Sequence, residues 1–139
     1  MTSTVEATVR EYYRIVGDLR YTEDDLREIV TPDAVFTEHP NPIAPHGAVR
    51  TVEQNLAGFR AGRALLSDQT IEVLEVLVSG ERAAVRATWS GTAGVDRGPF
   101  TAGTELTCVM AAFLTVRDSK ISAHETYDCY PPLPVAAPA

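Results

Sequence analysis

The hydrophobic pattern changes period once, near residue 67, and that change limits the fold more than any other feature of the chain. Before it, apolar residues recur at helical spacing. Ser3 and Glu6 stand as a capping box, and Val5, Val9, Tyr12 and Val16 follow on one stripe. Thr22 and Asp25 open a short second helix, "EDDLREIV", which Pro32 is expected to end. Thr51 and Gln54 cap a third, in which Val52, Leu56 and Phe59 share a face. A short apolar segment, "AVFTEH", and a proline-rich loop, "PNPIAPHG", separate the second and third helices. After the change the chain reads as extended. "QTIEVLEVLVSG" has β-branched character, and in "RAAVRATWSGT" Val85, Ala87 and Trp89 alternate with Arg86 and Thr88. "GTELTCVMAAFLTV" is apolar on both faces, and "KISAHETYDCYPP" follows a tight turn at "RDSK". Helices first and strands after imply an α+β domain with an antiparallel meander. Residues 1–132 are expected to form this domain, with 133–139 as a flexible tail because proline has no ladder donor.

At 139 residues the chain is long enough for one buried core. Its 19 acidic against 12 basic residues, with no Lys/Arg cluster, argue against nucleic-acid binding, which needs a basic face. No apolar run has membrane-spanning length, and the N-terminus lacks a basic region followed by an apolar block, so a cytoplasmic protein is expected. Two cysteines, Cys108 and Cys129, make no disulfide scaffold and no zinc site. Three histidines without H-E-x-x-H or facial-triad spacing give no metal site, and no nucleotide or phosphate motif is present. The expectation is therefore an activity without metal or organic cofactor.

The last hairpin can be read geometrically. If Asp118-Ser119 is a two-residue loop, Arg117 pairs with Lys120. A regular ladder then sets Phe113 opposite His124, Ala111 opposite Thr126, and Val109 opposite Asp128 on one face. The other face pairs Leu114 with Ala123, Ala112 with Glu125, Met110 with Tyr127, and Cys108 with Cys129. Alternation brings His124, Thr126 and Asp128 together and turns Glu125 away. Same-face residues four apart are separated by roughly 13 Å, so His124 and Asp128 do not bond directly. The opposed cysteines read as two buried thiols. The face carrying Leu106, Met110, Leu114, Val116 and Tyr127 is too apolar for water. Helices cover only one side of the sheet, so a homodimer through this convex face is expected.

"DDLREIVTPDAVFTEHP", "APHGAVRTVEQNLAGF", "RAAVRATWSGT" and "RDSKISAHETYD" occur in an order and spacing that resemble the nuclear-transport-factor-2-like superfamily, and within it the SnoaL-like proteins. The resemblance spans nearly the whole chain. It implies a cone-shaped domain, three helices packed on a curved, mixed, mostly antiparallel sheet around a deep pocket. The superfamily holds ketosteroid isomerase, polyketide cyclases and non-enzymatic binding modules, so the fold leaves the activity open. In ketosteroid isomerase the general-base aspartate stands just before the proline of a segment like "DAVFTEHP", a position held here by His39. Its oxyanion-stabilising acid falls at Ala111, which removes that group. Its pocket-facing residues on the last strand match His124, Thr126 and Asp128, the parity derived above. Limonene-epoxide hydrolase needs two aspartates held by an arginine, and the tryptophan strand has no such pair. SnoaL-like cyclases use a histidine and an aspartate from the later strands, types that His124 and Asp128 supply.

His39, His124 and Asp128 are accordingly the candidate catalytic groups: imidazole titrates near neutral pH, and a buried carboxylate has a raised pKa. One of Tyr12 and Tyr13 is expected to present a hydroxyl to the substrate. Phe59, Trp89, Val109, Ala111, Phe113 and Thr126 complete the expected lining of a pocket for a hydrophobic small molecule. His46, in the loop before Gly47, is expected to face solvent. Two readings stay open: acid–base proton transfer on a carbonyl substrate, giving cyclisation, isomerisation or dehydration, and a non-catalytic ligand-binding or assembly domain.

Overall fold

The computed structural model describes residues 3–133. Three helices come early: α1 (Thr4–Val16), α2 (Glu23–Ile29) and, after β1 (Val30–Glu38) and β2 (Ala48–Arg50), α3 (Val52–Leu65). Four long strands follow: β3 (Leu66–Ser79), β4 (Arg82–Ala93), β5 (Glu105–Arg117) and β6 (Lys120–Cys129). The six strands form one sheet in the order β2-β1-β6-β5-β4-β3. The β1–β6 pair is parallel and the other pairs antiparallel, so the sheet is mixed as expected, and it is open at β2 and β3. The expected tail lies, from residue 134 on, outside the described residues.

Local chemistry explains the helix starts. Thr22 with Asp25 and Thr51 with Gln54 form complete capping boxes, each satisfying two backbone N–H groups. At α1 only half a box forms. Ser3 accepts from the Glu6 N–H, but the Glu6 carboxylate turns to Arg10 at 2.9 Å. Pro32 does not end α2, which stops at Ile29; the proline sits within β1. Pairing with β6 is interrupted there, between Val30 and Val35, where a residue without a donor is tolerated. The helices cover one face of the sheet. Val9 of α1, Leu26 of α2 and Leu56 of α3 pack with Leu114, Ile121, Val85 and Ala112 in one core. Leu114 and Ile121 are fully buried, and each such side chain contributes about 2 kcal/mol of burial free energy.

The final hairpin departs from a regular ladder by one residue. Asp118 and Ser119 both take positive φ, as a two-residue turn of this type demands, and Arg117 pairs with Lys120 as expected. Val116 then pairs with Ile121 but Thr115 with Ala123, so Ser122 is an extra residue, a β-bulge. Beyond it, Leu114 lies opposite His124, Ala112 opposite Thr126, and Met110 opposite Asp128. The alternation of β6 survives: His124, Thr126 and Asp128 face inward and Glu125 outward. Its partners on β5 change. Leu106, Cys108, Met110, Ala112 and Leu114 face inward, whereas Val109, Ala111 and Phe113 face out.

This overturns two expectations. The convex patch drawn around Leu106, Met110 and Leu114 does not exist, because Leu106 and Leu114 are core and Met110 lines the inner face. Of that set only Tyr127 is on the outside. The cysteines are not opposed either: Cys129 pairs with Val109 and is exposed, and Cys108 is buried.

Candidate active site

Reading across the inner face, rung by rung, shows how the site is assembled. One rung runs Arg50, Phe36, His124, Leu114, Ala83 across five strands. The next runs Ala48, Glu38, Thr126, Ala112, Val85, and the next brings Asp128 beside Met110 and Ala87. Polar groups thus lie on β2, β1 and β6, and apolar ones on β5 and β4. The helices close over this surface and leave a cavity of about 460 Å³, within the range of small-molecule sites. Apart from its polar groups, Phe36, Phe59, Ile43, Met110, Leu26 and Ile71 make its wall apolar.

To this cavity α1 supplies both of its tyrosines. The Tyr12 hydroxyl lies 2.8 Å from His124 Nδ1, and the Tyr13 hydroxyl 3.4 Å from His124 Nε2. The three rings meet edge to face, with Phe36 against the same imidazole. His124 is surrounded by protein except towards the cavity, and burial lowers its pKa from 6.5 to about 4. It is therefore neutral near pH 7, with one N–H and one bare nitrogen. One tyrosine donates to the bare nitrogen and the other accepts from the ring N–H. Whichever tautomer holds, the accepting tyrosine keeps its own O–H free for a ligand. Burial pushes both phenols well above their ordinary pKa, so both stay protonated.

The next two inward positions of β6 are Thr126 and the acidic Asp128, which is close enough to act on the Tyr13 phenol. Thr126 Oγ1 donates to Asp128 Oδ1 at 2.5 Å. Burial raises the Asp128 pKa and nearby Glu38 adds to the rise, with the Thr126 hydrogen bond opposing both. Glu38 accepts from Arg50 Nη1 at 2.8 Å and from Asn41 Nδ2 at 2.8 Å. The buried Asn41 also accepts from the Ile43 and Ala44 N–H groups, which shapes the loop that lays Ile43 on the cavity wall. Gly47 lets that loop return close to β1. It has φ +66°, and an added Cβ would stand 2.6 Å from the Glu38 carbonyl oxygen. Tyr130 lies alongside, its phenol pushed up by burial first. Burial and, next, Asp128 push the Cys108 thiol up to about 12, so it holds its proton and is no nucleophile.

Of the residues singled out from sequence, His124, Asp128, Thr126, Phe59, Tyr12 and Tyr13 all line the cavity. Both tyrosines face it, not one. His39 is elsewhere. Its register position puts it on the outer face, with Nε2 2.9 Å from Glu125 Oε2 and its ring stacked on Tyr127 at 4.2 Å. Val109, Ala111 and Phe113 also point outward, displaced by the Ser122 bulge, so they are not lining residues. Trp89 packs over Gly91 and donates from Nε1 to Gln69 Oε1 at 2.9 Å, away from the main cavity. His46 is exposed. Sequence reasoning missed Glu38, Arg50, Asn55 and Tyr130. For Glu38 the signal was present: Ala34 and Phe36 alternate inward, and the next inward position is 38. Arg50 had no such signal, because a strand of three residues has too little pattern.

Among the described residues no three His, Cys, Asp or Glu side chains cluster as metal ligands. No helix among them is long and apolar enough to cross a membrane.

Three helices on one face of an open mixed sheet, enclosing an apolar cavity with ionisable groups on its wall, define a small-molecule pocket domain of the nuclear-transport-factor-2-like class. The chain belongs to the SnoaL-like domain family, whose profile matches residues 9–124. It is similar to wild-type IdmH of Streptomyces antibioticus, a candidate polyketide cyclase. That match has 26% identity and a TM-score of 0.73, over 89% of this chain and 91% of that one. A protein of unknown function with this fold from Burkholderia pseudomallei shares 22% identity and a TM-score of 0.71, over 91% of each chain. A candidate SnoaL-like polyketide cyclase from Jannaschia sp. CCS1 shares 19% identity and a TM-score of 0.70, over 90% of this chain and 85% of that one. The last two similarities speak to the fold alone. None of the curated proteins compared matches the chain.

Proposed function

We propose that this chain is a cofactor-independent enzyme that moves a proton next to a carbonyl group, giving cyclisation, isomerisation or dehydration of a polyketide-like or steroid-like substrate. The observation that carries the reading is one cavity holding a raised carboxylic acid, Asp128, and a Tyr12–His124–Tyr13 chain with one hydroxyl proton to give. Asp128 as carboxylate takes the α-proton; the free tyrosine hydroxyl donates to the oxygen that becomes an enolate. Asp128 then returns the proton to carbon, or to a leaving oxygen in a dehydration. Electrons only move between C–H, C–C and C–O bonds, so no redox partner is needed. His124, with a pKa of about 4, is a weak base, and its role here is to orient the two phenols. Membership of the SnoaL-like family and the likeness to a candidate polyketide cyclase support a carbonyl-rich substrate.

The same weak basicity favours the second reading, a pocket that binds without reacting. Enolate mimicry separates the two. 2-Naphthol has the shape of the enol of 2-tetralone, and an enzyme of this kind holds the enol more tightly than the ketone. Calorimetry should give 2-naphthol a clear preference over 2-tetralone in the native chain. The preference should vanish when Tyr12 and Tyr13 are both changed to Phe. Equal affinity for the two ligands in the native chain supports the binding-only reading instead.

We also propose that the chain forms a homodimer through the outer sheet face, with Val35, Val109, Phe113 and Tyr127 at its centre. These side chains are 43–55% exposed, and Phe113 packs edge to face on Tyr127. Two thiols that make no disulfide, Cys108 and Cys129, support a cytoplasmic setting.

A further inference from the structure

We infer that Arg50 is a specificity residue that makes the cavity select a ligand carrying a carboxylate remote from its reacting carbonyl. The inference rests on the reading above only for the carbonyl; the carboxylate follows from the wall itself. Among the described residues lining the cavity, Arg50 is the one cationic side chain. Three exposed arginines spend their forks on their partners, whereas Arg10, Arg14 and Arg117 are held by one nitrogen each but lie away from the cavity. Arg60 grips Glu23 through Nε and Nη2, Arg27 grips Glu53 through both Nη atoms, and Arg20 makes three side-chain contacts with Asp18. Arg50 is held end-on, by Nη1 alone, against a single Glu38 oxygen. Its remaining N–H donors have no protein partner among the described residues, and with the side chain 33% exposed they are open to water or to a ligand. An arginine so used is oriented by one carboxylate and still able to accept a second.

The neighbours agree in placement and chemistry. Asn55, on the first turns of α3, lines the same cavity, and its carboxamide also has no partner among the described residues. Glu38 and Asn41 fix the arginine from the side of β1 and its following loop. The chain carries a net charge of −7, which repels anions from its surface, so an anionic ligand depends on this one local cation. Arg50 and His124 share a rung with only Phe36 between them. Two strand spacings put their backbones about 10 Å apart across the sheet. The substrate class is thus a carbonyl compound whose carboxylate lies several bonds away, across an apolar body that the Phe36 and Phe59 wall accommodates.

Three matched probes test this without any turnover: 2-naphthoate, its methyl ester, and 2-naphthylmethylammonium. Binding to the native chain should be tightest for 2-naphthoate, by roughly tenfold or more over the ester, as a charge-assisted bond implies. Arg50→Gln should remove that advantage and leave ester affinity unchanged, which also shows that the cavity is intact. Glu38→Gln releases the arginine from its partner and should raise 2-naphthoate affinity further, a change that a purely structural ion pair would not produce. Naphthoate binding no tighter than the ester, or tighter binding of the ammonium, overturns the inference. So does a naphthoate preference that Arg50→Gln leaves in place. Failure here leaves the naphthol preference untouched, and loss of the naphthol preference leaves the Arg50 result untouched, so the two readings fail separately.

Discussion

A histidine clasped between two phenols and largely withdrawn from solvent resists protonation, and His124 shows what that costs on acidification. The unfolded chain protonates it below about 6.5, the folded chain only below about 4. Between these values the unfolded state binds more protons, so stability falls as pH drops through the window and the loss is complete below it. The full shift is worth about 3 kcal/mol. Asp128 acts in the opposite sense: its raised pKa favours the folded state in acid, a contribution lost as pH rises through its folded value. Chemical denaturation near pH 7 and near pH 4.5 should show a large acid loss in the native chain and a flatter response in His124→Asn. Parallel pH profiles would mean that the imidazole is not buried neutral. At this scale the sequence was informative where alternation governs and silent where geometry does. The inward set His124, Thr126, Asp128 follows from period two, whereas the place of His39 before Pro40 suggests a catalytic group, and the same rule applied to β1 turns it outward. Tyr12 and Tyr13 are adjacent on α1, and helical spacing alone left open which of them the cavity takes; both are buried because α1 lies with that edge on the sheet.

Ser122 decides which residues of β5 share the cavity face with His124, and it does so through one unpaired position. Deleting Ser122 should restore a regular ladder with Ile121, His124, Thr126 and Asp128 still inward, and the fold should survive with a small loss of stability. Deleting Glu125 instead moves Thr126 and Asp128 to the outer face, so ligand binding should disappear. Amide spectra and naphthol binding of the two variants check this. Equal outcomes for the two deletions would contradict the bulge. The helices, the four long strands and the two-residue turn could be read because each has a local signal: caps, alternation, or a turn pair taking positive φ. The bulge has none, since it arises from the fit of β6 between β5 and the parallel β1. Likewise the three-residue β2 exists only because β1 offers it an edge.

The whole molecule separates two apolar surfaces, one enclosed by helices and one left outside. Charge placed on the second should break self-association without emptying the first. Sedimentation of Phe113→Glu should give monomers at micromolar concentration, with naphthol binding retained, whereas Met110→Glu should damage the cavity and leave the dimer. A native chain that sediments as a monomer would contradict the dimer itself. The cavity's chemistry is the larger claim, and proton exchange tests it without knowledge of the natural substrate. In D₂O, the α-protons of 2-tetralone exchange slowly by themselves, and the rate can be followed by proton NMR. The native chain should accelerate exchange well beyond the buffer rate. Asp128→Asn should lower the enzyme's contribution by ~10²–10⁴-fold, the usual range for a general base, with 2-tetralone still bound. No acceleration by a native chain saturated with 2-tetralone, or an Asp128→Asn variant as fast as the native chain, would contradict the account.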